Sequence, residues 1–269
     1  MGYSVATDHY TQLSQPLNVF CYDIIDLPLA ERQAIESGNT PSPIPPSLAV
    51  VPIPPSDLIP GQPYACISMD NGKEIRIYSL GPGNILQEYT YSSKNGSSWC
   101  FSGLQNLKII LDPTSTLAVI RAADNYIIVY YQDPDSDFIR PLGQNGETKD
   151  WGQGPTITKA LKGTYIAAVR CFDSNGLAHS RIYYQGPELH LREYYFDRSR
   201  KKWALGDFNP GKQPRRTQIT AEVVGEGDVD ITVSWRDKEG RLVNSSHSKT
   251  RGWDLPKRMS GPEPLDGRD

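Results

Sequence analysis

The stretch "SRIYYQGPELHLREYYFDRSRKKW", residues 180–203, alternates apolar and polar side chains on both sides of a Gly-Pro turn and ends on a tryptophan. Such alternation around a turn predicts an antiparallel β-hairpin. A similar stretch, "IRIYSLGPGNILQEYTYSSKNGSSW", occupies residues 75–99. In both copies a glutamate follows an arginine by twelve residues, which indicates an internal repeat. These residues are Arg76, Glu88, Arg181 and Glu193.

The repeat extends beyond these two copies. A motif of one residue followed by Ile or Val and then Tyr or Ser recurs at intervals of 52, 53 and 51 residues. The motifs end at Tyr78, Tyr130, Tyr183 and Ser234, and the tryptophans that close the units are Trp99, Trp151, Trp203 and Trp253. A period near fifty residues, built only of strand-like segments, is typical of β-propellers.

We therefore predict an all-β fold, a β-propeller of four-stranded antiparallel blades. The four clear repeats cover residues 63–256, and the propeller domain is assigned to residues 63–269. Residues 1–62 are rich in proline and are predicted to be irregular, with a degenerate blade or a short helix at "PLAERQAIE" as open alternatives. A degenerate first blade would give five blades, and four or six blades are the alternatives.

The position of each hairpin turn predicts which residues face each other, because antiparallel partners have a constant sum of residue numbers. Each turn is centred on its proline, or on Lys238 in the fourth unit, which has none. The predicted facing pairs are Arg76 with Glu88, Ile128 with Arg140, Arg181 with Glu193, and Thr232 with Asn244. The arginine and the glutamate are thus lost together in two units, which indicates that the pair behaves as one feature.

Two interpretations of the Arg–Glu pairs stay open. As exposed cross-strand ion pairs, each would contribute only about 0.2–1 kcal/mol to stability. As binding sites, their donors and acceptors would suit the adjacent hydroxyls of a sugar, and a tryptophan face from the neighbouring blade would suit its C–H groups. The predicted ligand-binding residues are Arg76, Glu88 and Trp151 in one groove, and Arg181, Glu193 and Trp253 in another.

The Arg-x-Tyr motif, the Pro/Gly turn, the glutamate and the closing tryptophan resemble the fungal fucose-specific lectins over roughly residues 63–256. This resemblance implies a scaffold related to six-bladed propellers that bind fucose between blades. It also implies that arginine and glutamate hydrogen-bond the sugar while an aromatic residue of the neighbouring blade stacks on it. The implied function is carbohydrate binding, and the implied partner is a fucosylated glycan.

An enzyme is the second hypothesis, because two units lack the pair and folds are reused for other chemistry. It would be a lectin-fold enzyme of fungal secondary metabolism, a cyclase or pericyclase such as a hetero-Diels-Alderase. A single aromatic pocket would hold a small hydrophobic metabolite. His179, two residues before Arg181, is the candidate acid or base, although a structural role at a turn or an edge is the commoner one. The sequence has no conventional hydrolase, zinc or nucleotide motif.

Composition limits the remaining classes. The net charge of −3 gives no electrostatic case for nucleic acid, and no run reaches the ~18 apolar residues of a membrane span. No signal peptide is visible, while glycosylation sequons at Asn95 and Asn244 leave secretion open. No metal or cofactor is predicted, and a homo-oligomer is an open alternative.

The four cysteines are Cys21, Cys66, Cys100 and Cys171, and no two of them form a C-x-x-C motif. We expect them to be buried small side chains rather than disulfide-bonded. Cys66 and Cys171 hold equivalent positions in units separated by a whole unit, so a bond between these two would exceed the ~7 Å Cα separation that a disulfide tolerates.

Overall fold

The computed structural model describes residues 62–70, 73–93, 98–122, 126–172, 178–197, 200–224, 230–248 and 250–259. These residues form four antiparallel sheets in which four strands follow one another in chain order. The prediction of an all-β propeller with four-stranded blades is therefore confirmed. The described residues hold four blades, and the degenerate blade or helix expected within residues 1–61 lies outside them.

The strands of each blade are as follows. Blade 1 contains β1 (Tyr64–Met69), β2 (Glu74–Leu80), β3 (Leu86–Ser92) and β4 (Ser98–Phe101). Blade 2 contains β5 (Ala118–Arg121), β6 (Ile127–Gln132), β7 (Phe138–Gln144) and β8 (Trp151–Gln153), with β9 (Thr158–Lys159) beside β7. Blade 3 contains β10 (Ala167–Phe172), β11 (Ala178–Gln185), β12 (Leu191–Asp197) and β13 (Lys202–Leu205). Blade 4 contains β14 (Ile219–Val224), β15 (Asp230–Arg236), β16 (Leu242–Ser248) and β17 (Gly252–Trp253), with β18 (Lys257–Arg258) beside β16.

The large hydrophobic clusters lie between blades. Tyr78 and Leu80 of blade 1 pack with Val129 and Tyr131 of blade 2 in one cluster. Two further clusters join blade 2 to blade 3 and blade 3 to blade 4 in the same way. Because consecutive strand residues point to opposite faces, the apolar alternation read from the sequence supplies one face to each neighbouring blade. The grooves between blades are therefore the edges of these clusters.

The predicted register of the hairpins is wrong. Arg76 lies opposite Thr90, and Glu88 lies opposite Tyr78, so the partners differ from the prediction by two residues. The shift is also two residues in blades 3 and 4 and three residues in blade 2. The other observed pairs are Arg181 with Tyr195, Glu193 with Tyr183, Ile128 with Gly143, Arg140 with Tyr131, Thr232 with Ser246, and Asn244 with Ser234.

The loop geometry explains the error. In blade 4 the Asp237 N–H donates to the Arg241 carbonyl and the Gly240 N–H donates to the Asp237 carbonyl, with Gly240 at φ 76°. This is a three-residue loop, a type I turn followed by a left-handed residue. The prolines of the other hairpins occupy the first loop position, so the true centre lies beyond them. The last residue of each of these loops is left-handed, namely Asn84, Asp137 and Leu189, with Gly83 left-handed as well, and the blade 2 loop is one residue longer.

A shift by two residues keeps every side chain on its predicted face, whereas a shift by one would reverse it. Arg76 and Glu88 therefore still share a face, as diagonal rather than direct neighbours. In blade 2 the three-residue shift puts Pro141, not Arg140, at the position of the glutamate, opposite Tyr130.

The cysteines differ from the expectation in two respects. Cys66 is disulfide-bonded, and Cys100 is exposed and free. Cys171 is buried and free, as expected, so Cys66 and Cys171 are not bonded to each other. Cys21 lies outside the described residues.

The described residues include two short 3₁₀ segments, Pro82–Asn84 and Leu104–Leu107. In the part of the chain that the structure describes, no helix has the length and apolar character needed to cross a membrane.

The left-handed residue that closes each loop can be tested in blade 4. A Cβ at Gly240 would meet no atom within 4 Å, so Gly240→Ala introduces only the backbone cost of a left-handed alanine. We expect unfolding in urea to show a loss of about 1 kcal/mol.

Gly152→Ala is the matched control for this test, because that site is equally open but does not have a left-handed backbone. It should be neutral or stabilising by up to about 1 kcal/mol. Equal losses in both variants would contradict the loop assignment.

Candidate functional site

The groove between blades 1 and 2 contains a buried carboxylate. Glu88 is 2% exposed, and its Oε1 atom accepts hydrogen bonds from Arg76 Nη1 at 3.2 Å and from the Tyr78 hydroxyl at 2.8 Å. Arg76 is buried as well. The interpretation as an exposed surface ion pair is therefore wrong for this pair, because both partners are withdrawn from water. A buried charge of this kind requires the partners that surround it.

Blade 2 supplies the opposite wall of this groove. The Trp151 ring meets the Tyr78 ring edge to face, with centroids 6.0 Å apart and an interplanar angle of 81°. Gln144, which faces Trp151 across β7 and β8, accepts a further hydrogen bond from Arg76 Nη1. The structure thus brings Arg76, Glu88 and Trp151 together around Tyr78, as the sequence predicted for the first three.

The groove between blades 3 and 4 repeats the arrangement. Glu193 is 1% exposed, and its Oε1 atom accepts from Arg181 Nη1 at 2.6 Å and from the Tyr183 hydroxyl at 3.0 Å. The Trp253 ring of blade 4 meets the Tyr183 ring edge to face at 6.0 Å. The equivalent of Gln144 in this groove is His247, which faces Trp253 across β16 and β17.

The second carboxylate oxygen of Glu193 is also fixed. It accepts the Phe208 N–H at 3.4 Å, and a Cβ at Gly206 would lie 2.1 Å from it. Only glycine therefore lets the chain pass this close to the carboxylate. The Phe208 ring packs 4.7 Å from that of Trp253, so this loop positions the carboxylate and the tryptophan together.

The groove between blades 2 and 3 keeps the aromatic pair and loses the charges. Tyr130 and Trp203 meet edge to face at 5.9 Å, as in the other two grooves. Ile128 and Pro141 stand where the other grooves have arginine and glutamate. The joint loss of the pair is therefore confirmed here, with Pro141 in place of Arg140. The aromatic contact belongs to the scaffold, and the polar cluster is added to it.

Ionisation in the two polar grooves is fixed by their surroundings. Burial alone would lower the pKa of the Arg76 and Arg181 guanidinium groups, but the adjacent tyrosine and glutamate in each groove raise it above its ordinary value. Burial, reinforced by the neighbouring carboxylate, raises the pKa of Tyr78 and Tyr183 well above the usual range. Both tyrosine hydroxyls therefore stay protonated and act as donors.

Sequence reasoning missed the tyrosines and Gln144. Tyr78 and Tyr183 lie two residues after the arginines, so the period of a strand already placed them on the same face. Gln144 carried no such signal, because its place beside Arg76 depends on the register of β7 and β8 in the next blade.

The candidate acid or base, His179, lies with its Nδ1 atom 3.4 Å from the Phe196 carbonyl oxygen. Among the residues that the structure describes, no group of three or more His, Cys, Asp or Glu side chains is arranged to hold a metal ion.

A β-propeller with polar clusters in the grooves between blades defines the general class of this protein. Comparison with known families makes the assignment specific, because the model described as fungal fucose-specific lectin matches residues 59–254. The chain belongs to this family.

Individual relatives agree with the assignment. The fucose-specific lectin of Aspergillus fumigatus is 34% identical over 179 residues, which cover 64% of this chain and 54% of the relative. The fucose-specific lectin of Aleuria aurantia is 26% identical over 193 residues, which cover 69% of this chain and 56% of the relative. The chain thus spans about half the length of these curated relatives.

Solved structures agree as well. AofleA from Arthrobotrys oligospora gives a TM-score of 0.68 at 26% identity, over 79% of this chain and 61% of that chain. The six-bladed lectin of Aleuria aurantia gives a TM-score of 0.61 at 24% identity, over 79% of this chain and 64% of that chain. The four described blades therefore superpose on part of a six-bladed propeller.

The tyrosine–carboxylate bond can be measured with an internal control. Tyr183→Phe removes a hydroxyl that donates to the buried Glu193 carboxylate, so we expect a loss of about 1–3 kcal/mol in urea unfolding. Tyr130→Phe changes the equivalent residue, which faces Pro141 instead of a carboxylate, and should cost clearly less. Similar losses in the two variants would show that the carboxylate bond is not what makes Tyr183 important.

Proposed function

We propose that the chain is a carbohydrate-binding protein that binds fucose-type sugars, without metal, in two grooves between blades. Arg76, Glu88 and Trp151 form one site. Arg181, Glu193 and Trp253 form the other. The observation that carries the proposal is the recurrence of one Arg–Glu–Tyr cluster with a buried carboxylate beside a tryptophan in two grooves, and the replacement of the Arg–Glu pair by Ile128 and Pro141 in the groove between them.

The chemistry of the cluster suits a neutral, hydroxyl-bearing ligand. A guanidinium offers donors in a rigid fork, and a carboxylate offers acceptors, so two adjacent hydroxyls can be held at once. In each cluster the arginine and the glutamate carry opposite charges, so the ligand does not have to bring a charge to pair with either of them. The half-buried Trp151 and Trp253 indoles offer apolar surface for the C–H groups of a sugar ring.

The cluster is also held in place before a ligand arrives. In the groove of blades 3 and 4, Glu193 has three hydrogen-bond donors within the chain, from Arg181, Tyr183 and the backbone of Phe208. A side chain that is already fixed loses little conformational entropy on binding. This favours binding of a small ligand for which only a few contacts are available.

The choice of fucose rests on the relatives. The curated relatives are named fucose-specific lectins, and the Aleuria aurantia lectin has been solved with alpha-methyl-L-fucoside. A fucosylated glycan is accordingly the partner that we propose for this chain. No observation on the described residues favours the lectin-fold enzyme or its hydrophobic metabolite, and the homo-oligomer stays a prediction.

Calorimetric titration with methyl α-L-fucoside tests the proposal. Arg76→Ala and Arg181→Ala should each remove one binding event, because each deletes the charged donor of one groove. Loss of a charged hydrogen-bonding group should weaken that site by about ten- to a hundredfold. The double variant should show no binding in the concentration range used for the wild-type chain.

Arg140→Ala is the matched control, because this arginine pairs with Asp133 in blade 2 and belongs to neither cluster. It should bind as the wild-type chain does. Absence of any fucoside binding to the wild-type chain would reject the proposed sugar, and unchanged binding in the double variant would reject the proposed sites.

A further inference from the structure

The two polar grooves differ at the arginine. Arg76 Nε donates to Glu74 Oε1 at 2.8 Å, and Arg76 Nη2 donates to the same atom at 2.6 Å. Its Nη1 atom donates to Glu88 and to Gln144. A guanidinium has five N–H groups, so these four bonds leave only one of them for a ligand.

Arg181 is engaged far less. Its Nη1 atom donates to Glu193, and its Nε atom is buried without a hydrogen-bond partner. The buried Nε–H is out of a ligand's reach, so within the described residues three of the five N–H groups are left for a ligand. Arg181 is also more accessible, since its side chain is 23% exposed against 9% for that of Arg76.

A single sequence position accounts for most of the difference. Glu74 lies two residues before Arg76 on β2, and His179 lies two residues before Arg181 on β11. Both therefore share a sheet face with the arginine that follows them. At this position a carboxylate can accept from the guanidinium, whereas an imidazole gives the arginine no anionic partner.

We propose that Glu74 is an internal competitor that occupies the ligand-binding edge of Arg76. The groove of blades 1 and 2 is then the weaker site and the groove of blades 3 and 4 the stronger one. This inference rests on the proposed function, since it sets the relative affinities of the same two sites for a fucoside.

The physical basis is an exchange of acceptors. A sugar hydroxyl must displace the Glu74 carboxylate, which is the better acceptor for a guanidinium because it is charged. The displaced side chain is already 32% exposed and can turn into water, so the site is weakened rather than closed. At Arg181 no carboxylate has to be displaced, because its Nη2 atom has no acceptor among the described residues.

Each groove can be measured alone by disabling the other. In the Arg181→Ala background only the groove of blades 1 and 2 is intact. There, Glu74→Ala should raise the affinity for methyl α-L-fucoside roughly tenfold in calorimetry. In the Arg76→Ala background only the groove of blades 3 and 4 is intact. There, the same Glu74→Ala change should leave the fucoside affinity unchanged and serves as the control.

The reciprocal change places a carboxylate beside the other arginine. In the Arg76→Ala background, His179→Glu should weaken fucoside binding by a similar factor. A thermal melt of each variant separates loss of binding from loss of fold. The expected pattern is a gain of affinity on removing the carboxylate from one groove and a loss on adding it to the other.

The outcomes separate this inference from the function on which it rests. Unchanged fucoside binding in the groove of blades 1 and 2 after Glu74→Ala would overturn the inference. Weaker binding would overturn it as well, because Glu74 would then position Arg76 for the ligand. Unchanged binding after His179→Glu in a folded variant would overturn it too. If the wild-type chain and all variants fail to bind the fucoside, the proposed function itself fails.

Discussion

The buried carboxylates of Glu88 and Glu193 impose the strictest constraint on this structure. Withdrawing a carboxylate from water costs several kcal/mol unless hydrogen bonds and an opposite charge replace the lost solvation. The tyrosine directly across the hairpin and the arginine diagonal to it provide that replacement. Both are available in one strand register only, since a slip by one residue would turn the carboxylate to the opposite face of the blade. The three-residue loop that fixes this register is thus part of the site, although it lies outside the groove.

Much of the architecture was accessible from the sequence. The repeat of about fifty residues, the strand periodicity and the closing tryptophans depend on local pattern alone, and they gave the all-β propeller and the pairing of Arg76 and Glu88 with Trp151. The register was not accessible in the same way. A proline can stand at the centre or at the start of a turn, and only the left-handed residue after it, such as Leu189, decides between the two.

The contacts that distinguish the two grooves could not be predicted from the sequence. The bonds from Arg76 to Glu74 and Gln144 depend on side-chain direction and on the spacing between two blades, neither of which leaves a periodic signal. Burial of the pair was also missed, because alternation predicts which face a residue occupies and not whether another blade covers that face. Equivalent sequence positions therefore predicted two similar sites, whereas the contacts of Arg76 and Arg181 differ.

The position of the three large hydrophobic clusters between blades has a consequence for how such a chain can change. Each of the three large clusters requires two neighbouring repeats, so the interface between repeats is the cooperative unit. The edge-to-face aromatic contact persists in all three described interfaces, including the one with Ile128 and Pro141. Polar residues at the rim of an interface can therefore be gained or lost one interface at a time while the ring geometry is retained. Duplicated repeats in such an array can therefore diverge in ligand preference while the fold stays the same.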